Sequence, residues 1–269
     1  MSIRIIGSIG AGNMATAIFR GILASKRVTR EQLLMSDVAD QALAEVKASL
    51  GIRTTTVNKE LVELADCVML SVKPQVIDAV LADCSREFSP NKLLVSICAG
   101  VTTQALEEKL PKGTRVVRVM PNTPALVGAG ASAVAPGKHA TQDDTEFVRD
   151  LFSSVGLATT VAERYMDAVT GLSGSGPAFI MLLVEALADG GVRSGLPRQI
   201  ALQLATQTVF GAAKLVRDTK EHPAVLKDKV TSPAGTTIEG VFTLEQHGFR
   251  AAVADAVCAA TRRSKELGE

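Results

Sequence analysis

The segment that most constrains this chain is Ile3-Arg4-Ile5-Ile6-Gly7-Ser8-Ile9-Gly10-Ala11-Gly12-Asn13-Met14-Ala15. An apolar run of strand character passes directly into a glycine turn. The turn leads into a helical pattern, with Met14, Ala17, Ile18, Gly21 and Ile22 at i, i+3, i+4, i+7 and i+8. Gly10, Gly12 and Ala15 fit G-x-G-x-x-G/A: the first glycine makes the tight turn, the second admits a pyrophosphate against the backbone, and the small third residue lets helix pack on strand. Such a turn can also be a mere packing device. Its context favours a dinucleotide, whose phosphate would rest on free N–H groups at the helix start. Asp37 lies 22 residues after Ala15, at the end of the apolar run Leu33-Leu34-Met35-Ser36, where a ribose acid is expected. A carboxylate there accepts from a ribose diol and repels a 2′-phosphate, and no Arg or Lys follows until Lys47, so NADH is expected to serve.

Strand and helix signals then alternate, which predicts a doubly wound parallel sheet with right-handed crossovers. Residues 53 to 57 read as a strand and 59 to 65 as a helix. Cys67-Val68-Met69-Leu70-Ser71-Val72 reads as a buried strand, closed by Lys73 and by Pro74, which can open the helix at 76 to 81. Residues 93 to 97 form the next strand, ended by Cys98, Ala99 and Gly100. Thr102 can cap the helix carrying Leu106 and Leu110, and 115 to 120 is a strand closed by Met120, Pro121 and Asn122. Strand ends matter because ligands of an open parallel sheet sit at its carboxyl edge, so Lys73, Pro74, Cys98, Ala99, Gly100, Met120, Pro121 and Asn122 are expected to line one crevice. Asn58 either faces the adenosine side or caps the helix that follows it. A helix at 143 to 155 and a strand at 157 to 161 end the alternation. The expected division is a dinucleotide-binding domain at 1–162 and an all-helical domain at 163–269.

In the second half, Gly171-Leu172-Ser173-Gly174-Ser175-Gly176-Pro177 leads into a helix at 179 to 188, which Gly190-Gly191 and Gly195 are expected to break. The next helix, 200 to 216, carries the small face Ala201, Ala205, Thr208 and Ala212. Helices this poor in large side chains bury little area alone, so the domain is expected to dimerise. A formal charge of +1 with no basic run argues against nucleic acid, and the apolar run at 178 to 184 is far short of a membrane span of about 20 residues. The four cysteines form no C-x-x-C pair and the three histidines are scattered, which speaks against disulfides and a metal site and for a reducing, cytoplasmic setting.

The last informative stretch is Asp228-Lys229-Val230-Thr231-Ser232-Pro233-Ala234-Gly235-Thr236-Thr237-Ile238-Glu239-Gly240. It feeds a helix N-terminus with hydroxyls and free N–H groups. One interpretation is an anion site for a small carboxylate; the other is a capping box, with Thr236 as N-cap and Glu239 at N3.

Taken together, the turn from Gly10 to Ala15, Val72-Lys73-Pro74, Met120-Pro121-Asn122-Thr123-Pro124, the run from Gly171 to Pro177, and Ser232 to Thr237 followed by Gly248-Phe249-Arg250 resemble pyrroline-5-carboxylate reductase over essentially the full length. The resemblance implies a Rossmann domain, a helical dimerisation domain, often a pentamer of dimers, and reduction of a cyclic imine to L-proline by NADPH or NADH. It implies that Ile9, Gly10, Ala11, Gly12, Asn13, Met14, Ser36, Asn58, Ser71, Val72, Lys73, Pro74, Cys98, Ala99 and Gly100 carry the dinucleotide, with the Ser36 hydroxyl able to meet a 2′-phosphate. It implies further that Ser232, Gly235, Thr236 and Thr237 hold the substrate carboxylate and that Glu163 lies near the bound ligand. Ala234 departs from the glycine of many relatives, and Lys229 from the asparagine of some. A protonated imine is already electrophilic, so positioning over the nicotinamide suffices, with the final proton from Thr237 or water. A β-hydroxyacid dehydrogenase would need a lysine after the second glycine turn, and residues 171 to 192 hold none. A Rossmann module that only senses dinucleotide would leave the 232–237 loop without a ligand.

Overall fold

The computed structural model describes residues 5–268, so Ile3 and Arg4 of the expected first strand lie outside the described residues. The described residues form two compact units, the first made of residues 5–175 with 259–268, the second of 176–258. The first unit is built on β1 (Ile6–Ile9), α1 (Asn13–Ala24), β2 (Leu33–Ser36), α2 (Asp40–Leu50), β3 (Arg53–Thr55), α3 (Asn58–Leu64), β4 (Cys67–Leu70), α4 (Ile77–Cys84), β5 (Leu93–Ser96), α5 (Thr103–Glu107), β6 (Arg115–Met120), β7 (Gly130–Pro136), α6 (Gln142–Phe152), β8 (Gly156–Thr160) and α7 (Met166–Val169).

Eight strands pair in the order β3-β2-β1-β4-β5-β6-β7-β8. Neighbours run parallel except at β6 and β7, which are antiparallel. The sheet is therefore doubly wound as expected but not wholly parallel. Strand β7 carries no sequence signal because Gly130-Ala131-Ser132-Ala133 lacks the β-branched and aromatic residues that mark a strand. Alternate residues of the central strands feed two cores. Cys67, Met69, Leu93 and Val95 meet Ile18, Phe19 and Ile22 of α1, Leu43 and Val46 of α2 and Phe152 of α6. Val68, Leu70 and Leu94 meet Leu61 and Val62 of α3, Ile77 and Leu81 of α4 and Leu106 of α5. A fully buried side chain of this size contributes about 1.5–3 kcal/mol, so the double-sided run holds the sheet and fixes the strand ends. Thr102 caps α5 as expected, accepting from Ala105 N at 3.1 Å.

The second unit holds α8 (Gly176–Arg193), α9 (Arg198–Thr219), α10 (Pro223–Lys229), α11 (Thr236–Gln246) and the start of α12 (Phe249–Gly268). Gly190 and Gly191 do not break α8. A Cβ on Gly191 would fall 3.1 Å from that of Ala201, so the glycine allows α8 and α9 to approach, with Ala188, Ala201 and Ala205 buried between them. The helix ends instead at Arg193, in a turn that Gly195 closes with φ +100°. Half of the predicted small face is thus spent within one chain. Large apolar residues remain exposed on these helices, among them Met181, Leu182, Leu204, Phe210 and Phe242. Among the described residues one helical stretch, Glu163–Arg193, is long and apolar enough to cross a membrane by length and composition, because it joins the apolar run at 178–184 to its helical flanks.

Candidate active site

Parallel register brings the strand ends together. Ile9 lies opposite Ser36 and Leu70, Leu70 opposite Ser96, and Ser96 opposite Arg118. The turns that follow these strands therefore share one carboxyl edge, and it gathers Gly10 to Met14, Asp37, Ser71 to Pro74, Cys98 to Gly100, Pro121 and Asn122.

The glycine turn has the form that a pyrophosphate needs. Gly10 has φ +100°, and a Cβ there would fall 2.6 Å from the Ser71 carbonyl oxygen, so only glycine fits. A Cβ on Gly12 would meet nothing within 4 Å, which leaves that face of the turn open to an approaching ligand. Helix α1 begins with Gly12 as N-cap and no side-chain cap, so its first N–H groups are available to an anion. Beneath the turn, Ser8 Oγ donates to Gly10 O at 2.9 Å and lies 2.9 Å from Ser71 Oγ. Asp37 is pinned by backbone on both sides: Oδ2 accepts from Ala11 N at 2.8 Å and Oδ1 from Ala39 N at 2.9 Å. These residues fit a nicotinamide dinucleotide, whose pyrophosphate the start of α1 would hold and whose ribose Asp37 would meet.

Other residues expected in this site have internal partners. Ser36 is fully buried and donates to Asn58 Oδ1 at 2.8 Å, which positions Asn58. Asn58 is not the helix cap. Val57 is the N-cap of α3 and Asn58 its first helical residue, and the Asn58 amide nitrogen has no protein partner among the described residues. Cys98 is buried and donates its thiol to Val72 O at 3.2 Å, tying the ends of β4 and β5, and burial pushes its pKa up. Asn122 uses both ends of its amide, donating to Ser173 O at 3.0 Å and accepting from Ala131 N at 2.8 Å.

Beside Pro74, Gln75, Ala99 and Gly100 lies a cavity of about 310 Å³. Thr170 and Ser175 close one side of it, and the end of α12 closes another through Ala260, Arg263, Ser264 and Leu267. The C-terminal residues were not read as site residues from sequence. Nothing in an amphipathic helix pattern tells which surface its last turn will meet.

Glu163 has strong protein partners. Its Oε1 accepts from Thr103 N at 2.6 Å, its Oε2 accepts from the Thr103 hydroxyl, and it lies 3.5 Å from the buried Arg118 guanidinium. Its carboxylate thus links the start of α5 to β6 and the segment leading into α7.

In the second unit, Ser232, Gly235, Thr236 and Thr237 gather in one turn. Of the two alternatives the capping box is absent: Gly235 is the N-cap of α11, Thr236 its first residue, and no side chain caps it. Ala234 explains the shift, because it takes a left-handed φ of +53° and closes Ser232 to Gly235 into a turn with Gly235 N donating to Ser232 O at 3.1 Å. Thr231 and Thr243 return their hydroxyls to helix carbonyls, whereas the hydroxyls of Ser232, Thr236 and Thr237 have no protein partner among the described residues. Lys229 pairs with Glu221 at 2.5 Å.

A doubly wound sheet with a glycine turn, an uncapped helix start and a pinned carboxylate, Asp37, on one edge defines an NAD(P)H-dependent oxidoreductase. Residues 5–100 match the family model described as NADP oxidoreductase, coenzyme F420-dependent, and residues 163–267 match that of pyrroline-5-carboxylate reductase dimerisation. The pyrroline-5-carboxylate reductase of Methanosarcina acetivorans is 51% identical over 98% of both chains, and that of Synechocystis is 46% identical over 100% of both. Among solved structures, the Coxiella burnetii pyrroline-5-carboxylate reductase aligns at TM-score 0.93 with 35% identity over 98% of both chains. The Plasmodium falciparum pyrroline carboxylate reductase with NADP bound aligns at 0.88 with 34% identity, over 100% of this chain and 99% of that one. The chain belongs to the pyrroline-5-carboxylate reductase family, whose reaction reduces the cyclic imine to L-proline, and its C-terminal helices are built for self-association.

Proposed function

We propose that this chain binds NAD(P)H along the carboxyl edge from Ile9 to Asn122 and holds the carboxylate of 1-pyrroline-5-carboxylate at the start of α11. The observation that carries this reading is the uncapped α11 N-terminus, with three hydroxyls lacking protein partners among the described residues and backbone N–H groups on offer. A carboxylate there would accept from Thr237, Thr236, Ser232 and the N–H groups next to Gly235. NAD(P)H, when bound, supplies the hydride that the imine carbon takes up. The chain's own residues fix the acid end of the substrate, restrict the ring to one approach and exclude water, which suits a reaction whose substrate is already electrophilic. Hydride addition to the protonated imine leaves the ring N–H already in place, and the final proton, which makes the ring nitrogen a secondary ammonium, comes from Thr237 or a bound water. Glu163 fits better as a brace on Thr103 and Arg118 than as a ligand group.

The same reading takes 1–162 as the dinucleotide domain and 163–269 as the dimerisation and substrate domain. It places the assembly in the cytoplasm as a pentamer of dimers, supported by free cysteines and by exposed apolar helix faces for a second copy to cover. Incubation with 1-pyrroline-5-carboxylate and NADH or NADPH tests it. One proline should form per dinucleotide oxidised; dinucleotide loss without proline would overturn it.

A further inference from the structure

The cavity beside Pro74 and Gly100 includes a segment that no motif of this chain singles out, the last turn of α12. We propose that this turn is a wall of the nicotinamide pocket and that Arg263 donates a hydrogen bond to an oxygen on the nicotinamide half of the dinucleotide, a ribose hydroxyl or the carboxamide. The proposal rests on the dinucleotide reading above.

Position is the first reason. With β1, β4 and β5 adjacent, a dinucleotide whose pyrophosphate sits on the turn after β1 extends its other half across the ends of β4 and β5. Pro74 and Gly100 mark those two ends, and the cavity lies against both. Chemistry is the second reason. Among the described residues Arg263 is the one charged residue lining the cavity, and a guanidinium only donates, so its complement is an oxygen. Its ion pair with Glu266, 2.9 Å and exposed on both sides, leaves other N–H groups available.

The turn is also held where the pocket needs it. Ser264 is buried, and its Oγ donates to Asp167 Oδ1 at 2.8 Å, anchoring α12 to α7. The backbone of Gly268 lies so close to the loop after β5 that a Cβ there would fall 2.8 Å from Gly100 O. Gly100 itself has φ +77° and would carry a Cβ 3.4 Å from Leu267 O. The chain end and the Cys98 to Gly100 loop therefore position each other.

Full-length Arg263→Ala, Arg263→Lys and Gly268→Val are titrated with NADH, NADPH and ADP by fluorescence or calorimetry, and their melting temperatures are recorded. ADP lacks the nicotinamide half. Arg263→Ala should weaken the dinucleotide that binds the wild type more tightly by about tenfold, the usual worth of a hydrogen bond from a charged donor, and leave ADP within about twofold. Arg263→Lys should fall between, and Gly268→Val should weaken the same dinucleotide without changing ADP. Equal weakening of ADP, a rise in imine KM alone, or an unchanged dinucleotide Kd in Arg263→Ala would each overturn the proposal. A wild-type chain that binds neither dinucleotide would overturn the dinucleotide reading itself, and this proposal with it.

Discussion

Glu163→Ala separates a brace from a ligand group. In the folded chain the Glu163 carboxylate accepts from Thr103 twice and lies 3.5 Å from Arg118, whose side chain is only 4% exposed. Removing one partner of a fully buried pair costs about 3–5 kcal/mol, because the other charge is left uncompensated. The Glu163 side chain is 26% exposed, so water reaches the site and the expected loss is smaller, about 2–3 kcal/mol. For a unit of this size each kcal/mol moves the midpoint by roughly 2–4 °C, which gives a fall of roughly 4–12 °C. Glu163→Gln keeps an acceptor for Thr103 and removes the charge beside Arg118, so its midpoint should lie between those of Glu163→Ala and the wild type. Thermal unfolding and imine kinetics are measured on both variants below their midpoints. An unchanged midpoint with a raised imine KM would refute the brace and return Glu163 to the substrate site.

Ala234→Gly should raise the melting temperature by a few degrees, since relief of about 1–2 kcal/mol of left-handed strain exceeds the 0.4–1 kcal/mol that glycine adds to unfolded-state entropy; a lower midpoint contradicts the φ of +53°. Asp37→Ser should raise the NADPH/NADH ratio of kcat/KM about tenfold or more, because it removes a pinned anion beside the ribose; an unchanged ratio would show that Asp37 does not face the 2′ position. Burial pushes the Cys67 thiol up to about 12 from its ordinary 9.0. Unfolded chains therefore ionise first, and the contribution is intact below pH 9 and lost as pH rises toward 12. Cys67→Ala should flatten the alkaline decline in urea stability relative to wild type.

What the amino-acid order conveys locally was legible, and what depends on distant partners was not. Strand β4 is apolar at every position, and the glycine turn has its sequence form, so the carboxyl edge of the sheet could be read from the strand patterns. Strand β7 could not, because its small residues become a strand only by pairing with β6 and β8. The roles of Ser36 and Asn58 depend on a hydrogen bond across 22 positions, and that of Glu163 on Thr103, 60 positions away. Gly190 and Gly191 look like breakers until Ala201 is placed against α8. At α11 the two alternatives differ by one residue: the left-handed turn at Ala234 puts the cap at Gly235 and not Thr236, which leaves an open N-terminus in place of a capping box.

That open N-terminus is tested most directly by Thr237→Ala, with imine kinetics and dinucleotide binding measured on the same preparation. A donor to the substrate carboxylate is worth roughly 1.5–3 kcal/mol, so kcat/KM for 1-pyrroline-5-carboxylate should fall about ten- to a hundredfold while the NAD(P)H Kd stays unchanged. Unchanged imine kinetics would contradict the clamp at Thr237.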